Sequence, residues 1–308
     1  MHIRTNPILN VVFRPVLLFC EWLGTNYPET LVKIRYFARF KRLLRLDNPQ
    51  TLNEKILYLS LRTDTTLWTK CADKYAVREY VHECGLDDIL VPLYGIWQNV
   101  DEIDFAQLPK EFVLKTTHGC ADVAIVRDKA KADWETLLNG FTKVLAKRYG
   151  AVEGAPHYMR IVPRLIAEKL LHNSEEDMSL STSLIDYKIW CFNGKAHYIF
   201  VCANRSKNNL EIMIYDMDWI AHPEYCICRG HYTQSELFPK PKNSDRMIDI
   251  AERLAKPFPC VRVDLYNIGG KIYFGELTFT SLGGLMDYFT PEFQLQAGRL
   301  IKISPVSR

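Results

Sequence analysis

With 308 residues, 48% of them hydrophobic and 24% charged, the chain can build a sizeable core as one large domain or two ordinary ones, which excludes global disorder. A net charge of +3 excludes a nucleic-acid binder argued from charge alone. Nine cysteines, odd in number and without a framework, exclude a disulfide scaffold and point to a reducing compartment.

The apolar start, residues 8–23, is interrupted by Arg14, Pro15 and Glu21 and has no small-residue cleavage site after it. It therefore reads as neither a secretory leader nor a membrane span, and the expected location is the cytoplasm. Residues 1–47 form one compositional unit. Lys33, Arg35, Arg39, Lys41, Arg42 and Arg45 crowd a stretch without an acid, and Ile34, Phe37, Phe40 and Leu44 recur among them at helical spacing. Such a basic amphipathic helix either lies on an anionic membrane or polyanionic glycan, or packs on the main domain with its basic face solvated. Asn48-Pro49 breaks the chain, and Thr51 with Glu54 forms a capping-box pattern for a helix to about Leu61. A helix is expected over 73–84, ended by Gly85. Strands are expected over 89–97, 112–117 and 124–127, a helix over 134–149, and a short strand over 165–171. Residues 185–201 read as a hairpin turning at Asn193-Gly194. A strand at 212–215, a helix over 244–256, a second hairpin and a last helix over 291–300 complete an α+β chain with largely antiparallel sheets.

That second hairpin, VRVDLYNIGGKIYFGELT at 261–278, carries the strongest chemical pattern. Asp264 and Glu276 occupy its polar phases, and Arg262, two positions before Asp264, shares the same side of its strand. Mg²⁺ takes one or two carboxylates plus phosphate oxygens, and an arginine can fork onto a phosphoryl group. A charged, solvent-facing hairpin gives the same pattern. A two-residue turn at Gly269-Gly270 would pair Asp264 with Gly275 and put Glu276 on the opposite face. Sharing one metal therefore requires an odd loop or a bulge that sets Asp264 opposite Glu276.

Other segments carry weaker signals. Lys115 ends an apolar strand just before a turn at His118-Gly119, a place suited to phosphates but lacking Walker spacing. Glu168 closes the apolar LIAE segment, whose following backbone amide and carbonyl could hold a planar base while the acid takes a ribose hydroxyl. Asp186 and Lys188 share a strand face. His222, Cys226, Cys228 and His231 offer four soft ligands, but C-x-C lacks the two-residue knuckle and points its thiols to opposite faces, which disfavours zinc.

Six segments in order, NPQTLNEK (48–55), ADKYAVREYV (72–81), FVLKTTHG (112–119), LIAEKLL (165–171), DYKIWCFNGK (186–195) and VRVDLYNIGGKIYFGELTF (261–279), resemble the ATP-grasp superfamily. The nearest likeness is to its TupA-like family, named for teichuronopeptide biosynthesis. The resemblance implies two α+β subdomains clamping ATP, at 71–165 and 166–308, behind a helical region at 1–70. It makes Lys74 and Lys115 the phosphate-reaching lysines and puts His118 and Gly119 in the covering loop. Glu168 becomes the ribose acid, with Lys169 and Leu170 giving backbone contacts to adenine. Arg262 steadies the transferred phosphoryl group, Lys188 faces the nucleotide, and Asp264 and Glu276 bind Mg²⁺. Where the superfamily usually has an asparagine as third metal ligand, this chain has Thr278, a weaker donor. The loop is also poor in glycine.

The implied activity is an ATP- and Mg²⁺-dependent carboxylate–amine ligase working through an acyl phosphate. Its expected substrates are a uronic acid of a surface polysaccharide and an amino acid, with no nucleic-acid partner and peripheral membrane contact through the basic segment. A hydroxyl-directed ATP-grasp kinase and a glycosyltransferase of the same pathway are the alternatives.

Overall fold

The computed structural model describes residues 7–120 and 122–303. Helices α1 (Pro7–Asn26) and α2 (Pro28–Phe40) open the chain. Among the described residues no helix is long and apolar enough to cross a membrane. The expected basic helix is shorter than its pattern: Lys41 takes a left-handed conformation (φ 55°), donates its N–H to Phe37 and ends α2, leaving Arg42 and Arg45 in the connection that follows. Its buried face is also rotated. Leu31, Val32 and Tyr36 are buried while Ile34 and Phe37 stand about half exposed, so of the expected stripe only Phe40 and Leu44 join Val32 and Tyr36 in the core.

Helix α3 (Leu52–Arg62) starts with the expected capping box. Glu54 Oε2 accepts from the N–H of Thr51 and of Gln50, and Thr51 Oγ1 accepts from Glu54 N–H. The helix buries Leu52, Ile56 and Leu59 in the main core and meets α10 (Pro291–Leu300), where a Cβ on Gly298 would lie 2.2 Å from the Gln50 carbonyl. The helix expected over 73–84 is only α5 (Val77–Glu83), and a separate helix α4 (Thr66–Ala72) precedes it. Asp73 interrupts them because its carboxylate accepts the Tyr75 and Ala76 N–H groups, a local competitor to helical bonding.

Four strands form a first sheet in the order β1 (Leu93–Trp97), β4 (Leu165–Glu168), β2 (Phe112–Thr116), β3 (Val123–Val126), all antiparallel. The expected division at 165/166 runs through β4, whose partners both belong to this sheet. Phe112, Leu114, Leu165 and Ala167 pack with Phe141 of α6 (Trp134–Leu145). By alternation, Val113, Lys115, Ile166 and Glu168 share the other face.

The second sheet runs β10 (Lys271–Thr278), β9 (Cys260–Ile268), β5 (Asp186–Phe192), β6 (Lys195–Ala203), β7 (Leu210–Tyr215), β8 (Tyr232–Gln234). Every pair in it is antiparallel except β7 with β8. Asn193-Gly194 turns β5 into β6 with positive φ at both residues, as a tight hairpin turn demands. Helix α9 (Ser244–Ala255) lays Met247, Ile250, Ala251 and Leu254 into the same core as Val261, Val263 and Leu265. The opposite phase of β9, carrying Arg262 and Asp264, therefore faces away from α9.

Two short helices, α7 (Pro156–Met159) and α8 (Glu175–Leu180), have no counterpart in the sequence pattern. The first places His157 in a buried aromatic nest beside Trp68 and Phe279. Burial pushes the imidazole down to about 3, with Arg160 adding to the shift. The folded protein holds this ring neutral while the unfolded chain protonates it below about 6.5, so stability is full above that value and falls as pH drops towards 3. Between pH 7 and pH 5 the loss is about 2 kcal/mol. Urea midpoints at the two pH values check this, and His157→Leu should flatten that part of the profile.

Candidate active site

The hairpin β9–β10 turns at Gly269 and Gly270, both at positive φ (53° and 84°), with Ile268 paired to Lys271. The ladder runs regularly to Phe274–Leu265, then slips, and Glu276 pairs with Asp264. Gly275 is the extra residue of this bulge. A Cβ there would lie 2.9 Å from the Asp264 carbonyl oxygen, which leaves no ordinary room for a side chain. The bulge supplies the change of phase that a common face for Asp264 and Glu276 requires.

On that face Arg262 is the hub. Its Nε and Nη2 fork onto the two oxygens of Asp264 at 2.7 and 2.8 Å. Nη2 also reaches Thr278 Oγ1 at 3.0 Å and Glu276 Oε1 at 3.3 Å, and Nη1 donates to Ser281 Oγ at 2.7 Å. Lys188 stands directly across from Asp264 on β5 and pairs with its Oδ2, with Asp186 at 3.6 Å. Burial alone would raise the Asp264 carboxyl, but Arg262 and Lys188 outweigh it and hold the group below the usual carboxylate range. Burial likewise opposes the charge on Lys188, and Asp186 and Asp264 more than offset it, so that ammonium is held above the ordinary lysine range. Glu276 is the open member: its side chain is 45% exposed, and among the described residues its Oε2 has no partner. No cluster of three or more His, Cys, Asp or Glu close enough to hold a metal ion occurs among the described residues.

The first sheet contributes a second group. Lys115 Nζ lies 2.6 Å from Glu168 Oε2. Arg78, not singled out from the sequence, bonds the Val91 carbonyl at 2.9 Å and approaches Glu168 Oε1 at 3.5 Å. Val123 and Ile125, about half exposed, pair with Lys115 and Val113 and add an apolar shelf to the same face. The Lys169 N–H is spent on the Pro92 carbonyl, so this residue has only its carbonyl to offer a planar base, whereas the Leu170 N–H has no acceptor among the described residues.

Lys74 joins the two groups. Its backbone N–H bonds the Thr117 carbonyl and its ammonium bonds the Gly119 carbonyl, while Asp73, paired with Arg164 at 2.7 Å, anchors the turn. Burial pushes the Lys74 ammonium down, Glu276 of the second sheet opposes that and Lys115 of the first adds to it. One side chain thus senses the charges of both. Gly119 is fitted closely, since a Cβ there would meet Asp122 Oδ2 at 2.2 Å. The neighbouring His118 turns its ring inward, edge-on to Tyr149. It is buried with neither ring nitrogen hydrogen-bonded, although the Val144 and Lys147 carbonyls are near, and burial lowers its pKa. Arg78, Ser281 and Arg164 are the members that the pattern did not reveal. Arg78 lies within the 72–81 segment, while Ser281 and Arg164 carry no local signal.

The four-residue H-x3-C-x-C-x2-H motif is dispersed. His222 is held by Asp216 and Glu224, Cys226 bridges to Phe289, and His231 lies against Tyr232.

Among solved structures, the fold is similar to D-alanine–D-alanine ligase from Bacillus anthracis (16% identity, 75% of this chain and 63% of that one, TM-score 0.43). It is similar also to an L-amino acid ligase from Bacillus licheniformis (13%, 81% and 53%, TM-score 0.44) and to N5-carboxyaminoimidazole ribonucleotide synthetase from Thermus thermophilus (10%, 75% and 52%, TM-score 0.41). The chain thus spans between half and two thirds of the length of these proteins. No curated protein matches the sequence. A family model described as TupA-like ATP-grasp matches residues 54–302, a stretch that holds both sheets and every residue of the two clusters, and the chain belongs to that family.

Proposed function

We propose that the protein is an ATP-dependent ligase that joins a carboxylate to an amine. The observation that carries this reading is the Lys74 side chain, which bonds the Gly119 carbonyl beside the Lys115 strand and whose charge Glu276 of the second sheet favours. Three cationic side chains, Lys74, Lys115 and Arg262, then surround a space suited to a polyphosphate, with the Val123–Ile125 shelf for a purine and Glu168 for a ribose hydroxyl. Asp264, Glu276 and Thr278 form an all-oxygen donor set that suits a hard divalent cation. Two carboxylates leave the remaining positions to phosphate and water, and a bound Mg²⁺ would neutralise phosphate charge. Glu276 Oε2 is the available first donor, since Arg262 and Lys188 already occupy Asp264.

In this reading an oxygen of the substrate carboxylate bonds the γ-phosphorus as the bond to the β-γ bridging oxygen breaks, releasing ADP. The amine nitrogen then bonds the acyl carbon and phosphate leaves. The chain contributes position and charge compensation. The carboxylate is a uronic acid of a surface polysaccharide or its precursor, and the amine an amino acid. The N-terminal helices hold the enzyme at an anionic membrane: α1 exposes Val16, Leu17, Leu18, Phe19 and Trp22, and Arg14 of the same helix is exposed as well.

Trapping with hydroxylamine tests the chemistry. A hydroxamate formed only with ATP and a uronic acid is the expected product. ADP release with transfer to a sugar hydroxyl, and no hydroxamate, would replace the ligase with a kinase. Flotation with anionic vesicles, lost in a Phe19→Ser, Trp22→Ser variant, is the expected behaviour of the membrane contact.

A further inference from the structure

A cavity of about 990 Å³ lies apart from the Lys115 and Arg262 clusters, between the end of α2, the connection 41–51 and the segment 286–295. Tyr36, Phe40, Leu44, Met286 and Phe289 give it apolar walls, and five cationic side chains, Lys33, Arg42, Arg45, Arg62 and Arg229, line it. Three of the five are already paired. Lys33 pairs with Glu29, Arg62 with Glu29 and Asp47, and Arg229 with Asp287. The acids of the wall are spent too: Asp47 on Arg62, Asp287 on Arg39 and Arg229, and Glu54 on its capping box. Arg42 and Arg45 have no acidic partner among the described residues. The left-handed turn at Lys41 delivers both, because it stops α2 and carries the chain across the cavity.

The back wall touches the chemistry. Asp287 lines the cavity, while the next residue, Tyr288, has its hydroxyl 3.4 Å from Ser281 Oγ, the same oxygen that accepts from Arg262. A ligand in the cavity would therefore sit one layer behind the phosphoryl-transfer cluster. At the mouth Leu43 is 77% exposed, and the exposed apolar residues of α1 and α2 belong to the same N-terminal region.

Two unpaired guanidiniums above apolar walls match one kind of ligand: an oxyanion head on an apolar chain. We propose that this cavity binds the acceptor substrate as an anionic amphiphile, with its phosphate or carboxylate on Arg42 and Arg45 and its chain against Tyr36, Phe40, Leu44 and Phe289. The ligand's role as acceptor rests on the ligase reading; its binding does not.

Calorimetry on the full chain without ATP tests it, using decyl phosphate as the probe. Decyl phosphate is expected to bind at least about tenfold more tightly than inorganic phosphate, decanol or glucuronate. Arg42→Ala, Arg45→Ala should weaken it by about tenfold or more and leave ATP affinity unchanged, and Arg42→Lys, Arg45→Lys should restore part of the loss. Equal affinity for inorganic phosphate or glucuronate would reduce the site to a plain anion subsite and overturn the proposal. Binding insensitive to both arginines would move it to the exposed face of α1 and overturn the proposal as well. Displacement of the probe by phosphatidylglycerol vesicles would identify bulk lipid as the occupant and equally overturn the acceptor role. Failure to bind ATP would instead remove the ligase reading and leave the cavity's ligand standing.

Discussion

Glu276→Gln is expected to cut ADP release by about a thousandfold while moving stability by no more than about 0.5 kcal/mol, and Asp264→Asn to lose both activity and stability. The difference follows from burial. Glu276 is partly open, and glutamine keeps the Oε1 that accepts from Thr278 and Arg262, so the variant loses a charge and little else. Asp264 is buried, and its two oxygens balance a forked arginine and a lysine. Asparagine leaves Arg262 and Lys188 short of counter-charge in a dry place, a change that costs about 3–5 kcal/mol. Coupled ADP assays and urea melts on the two variants check the pair. A Glu276→Gln enzyme with more than a tenth of parental activity would remove Glu276 from the site. An Asp264→Asn protein as stable as the parent would show that Arg262 does not depend on it.

Gly275→Val is the second large effect. The added Cβ falls 2.9 Å from a backbone oxygen, a neighbour that cannot swing aside as a flexible side chain can. The strand pair must spread at the bulge, and overpacking of this kind costs about 1–3 kcal/mol. The displaced atoms belong to Asp264, so the functional loss should exceed the thermodynamic one, at about a hundredfold in kcat/KM for a shift near 1 Å. A melting temperature lowered by a few degrees with activity down by that factor is the expected pattern. Full activity would mean that the bulge is not what aligns the acids.

Elements with strong local punctuation were legible from the sequence. Pro291 and Leu300 bound the last helix as expected, Asn193-Gly194 turns its hairpin, and Thr51 with Glu54 caps α3, because each rests on contacts within a few residues. Elements decided by distant partners were not. Helix α7 has four residues and exists where Trp68 and Phe279 enclose His157. The expected stripe was Ile34, Phe37, Phe40 and Leu44, yet only Phe40 and Leu44 join Val32, Tyr36, Leu57 and Leu285 in the core, because long-range contacts and not the local period set the buried face. In the site, Arg262, Asp264 and Glu276 could be placed on one face by strand alternation plus the required bulge. The fork of Arg262 onto Asp264, its reach to Ser281 and the attachment of Arg78 to Glu168 depend on side chains meeting across the fold, and spacing alone does not carry them. The assignment of nucleotide roles came from six segments in order, not from any one of them.

A strand has parity, and Gly275 changes it. Absorbing this residue into a regular ladder would send Glu276 and Thr278 to the α9 side and turn Leu277 to the face of Asp264, whereas deleting it would leave Glu276 opposite Asp264 in a flush ladder. A change of length between Asp264 and Glu276 is therefore tolerable only if it keeps these two residues paired, by a bulge or by a flush ladder. The two acids, twelve positions apart, meet on one face only because the bulge takes up the odd residue between them.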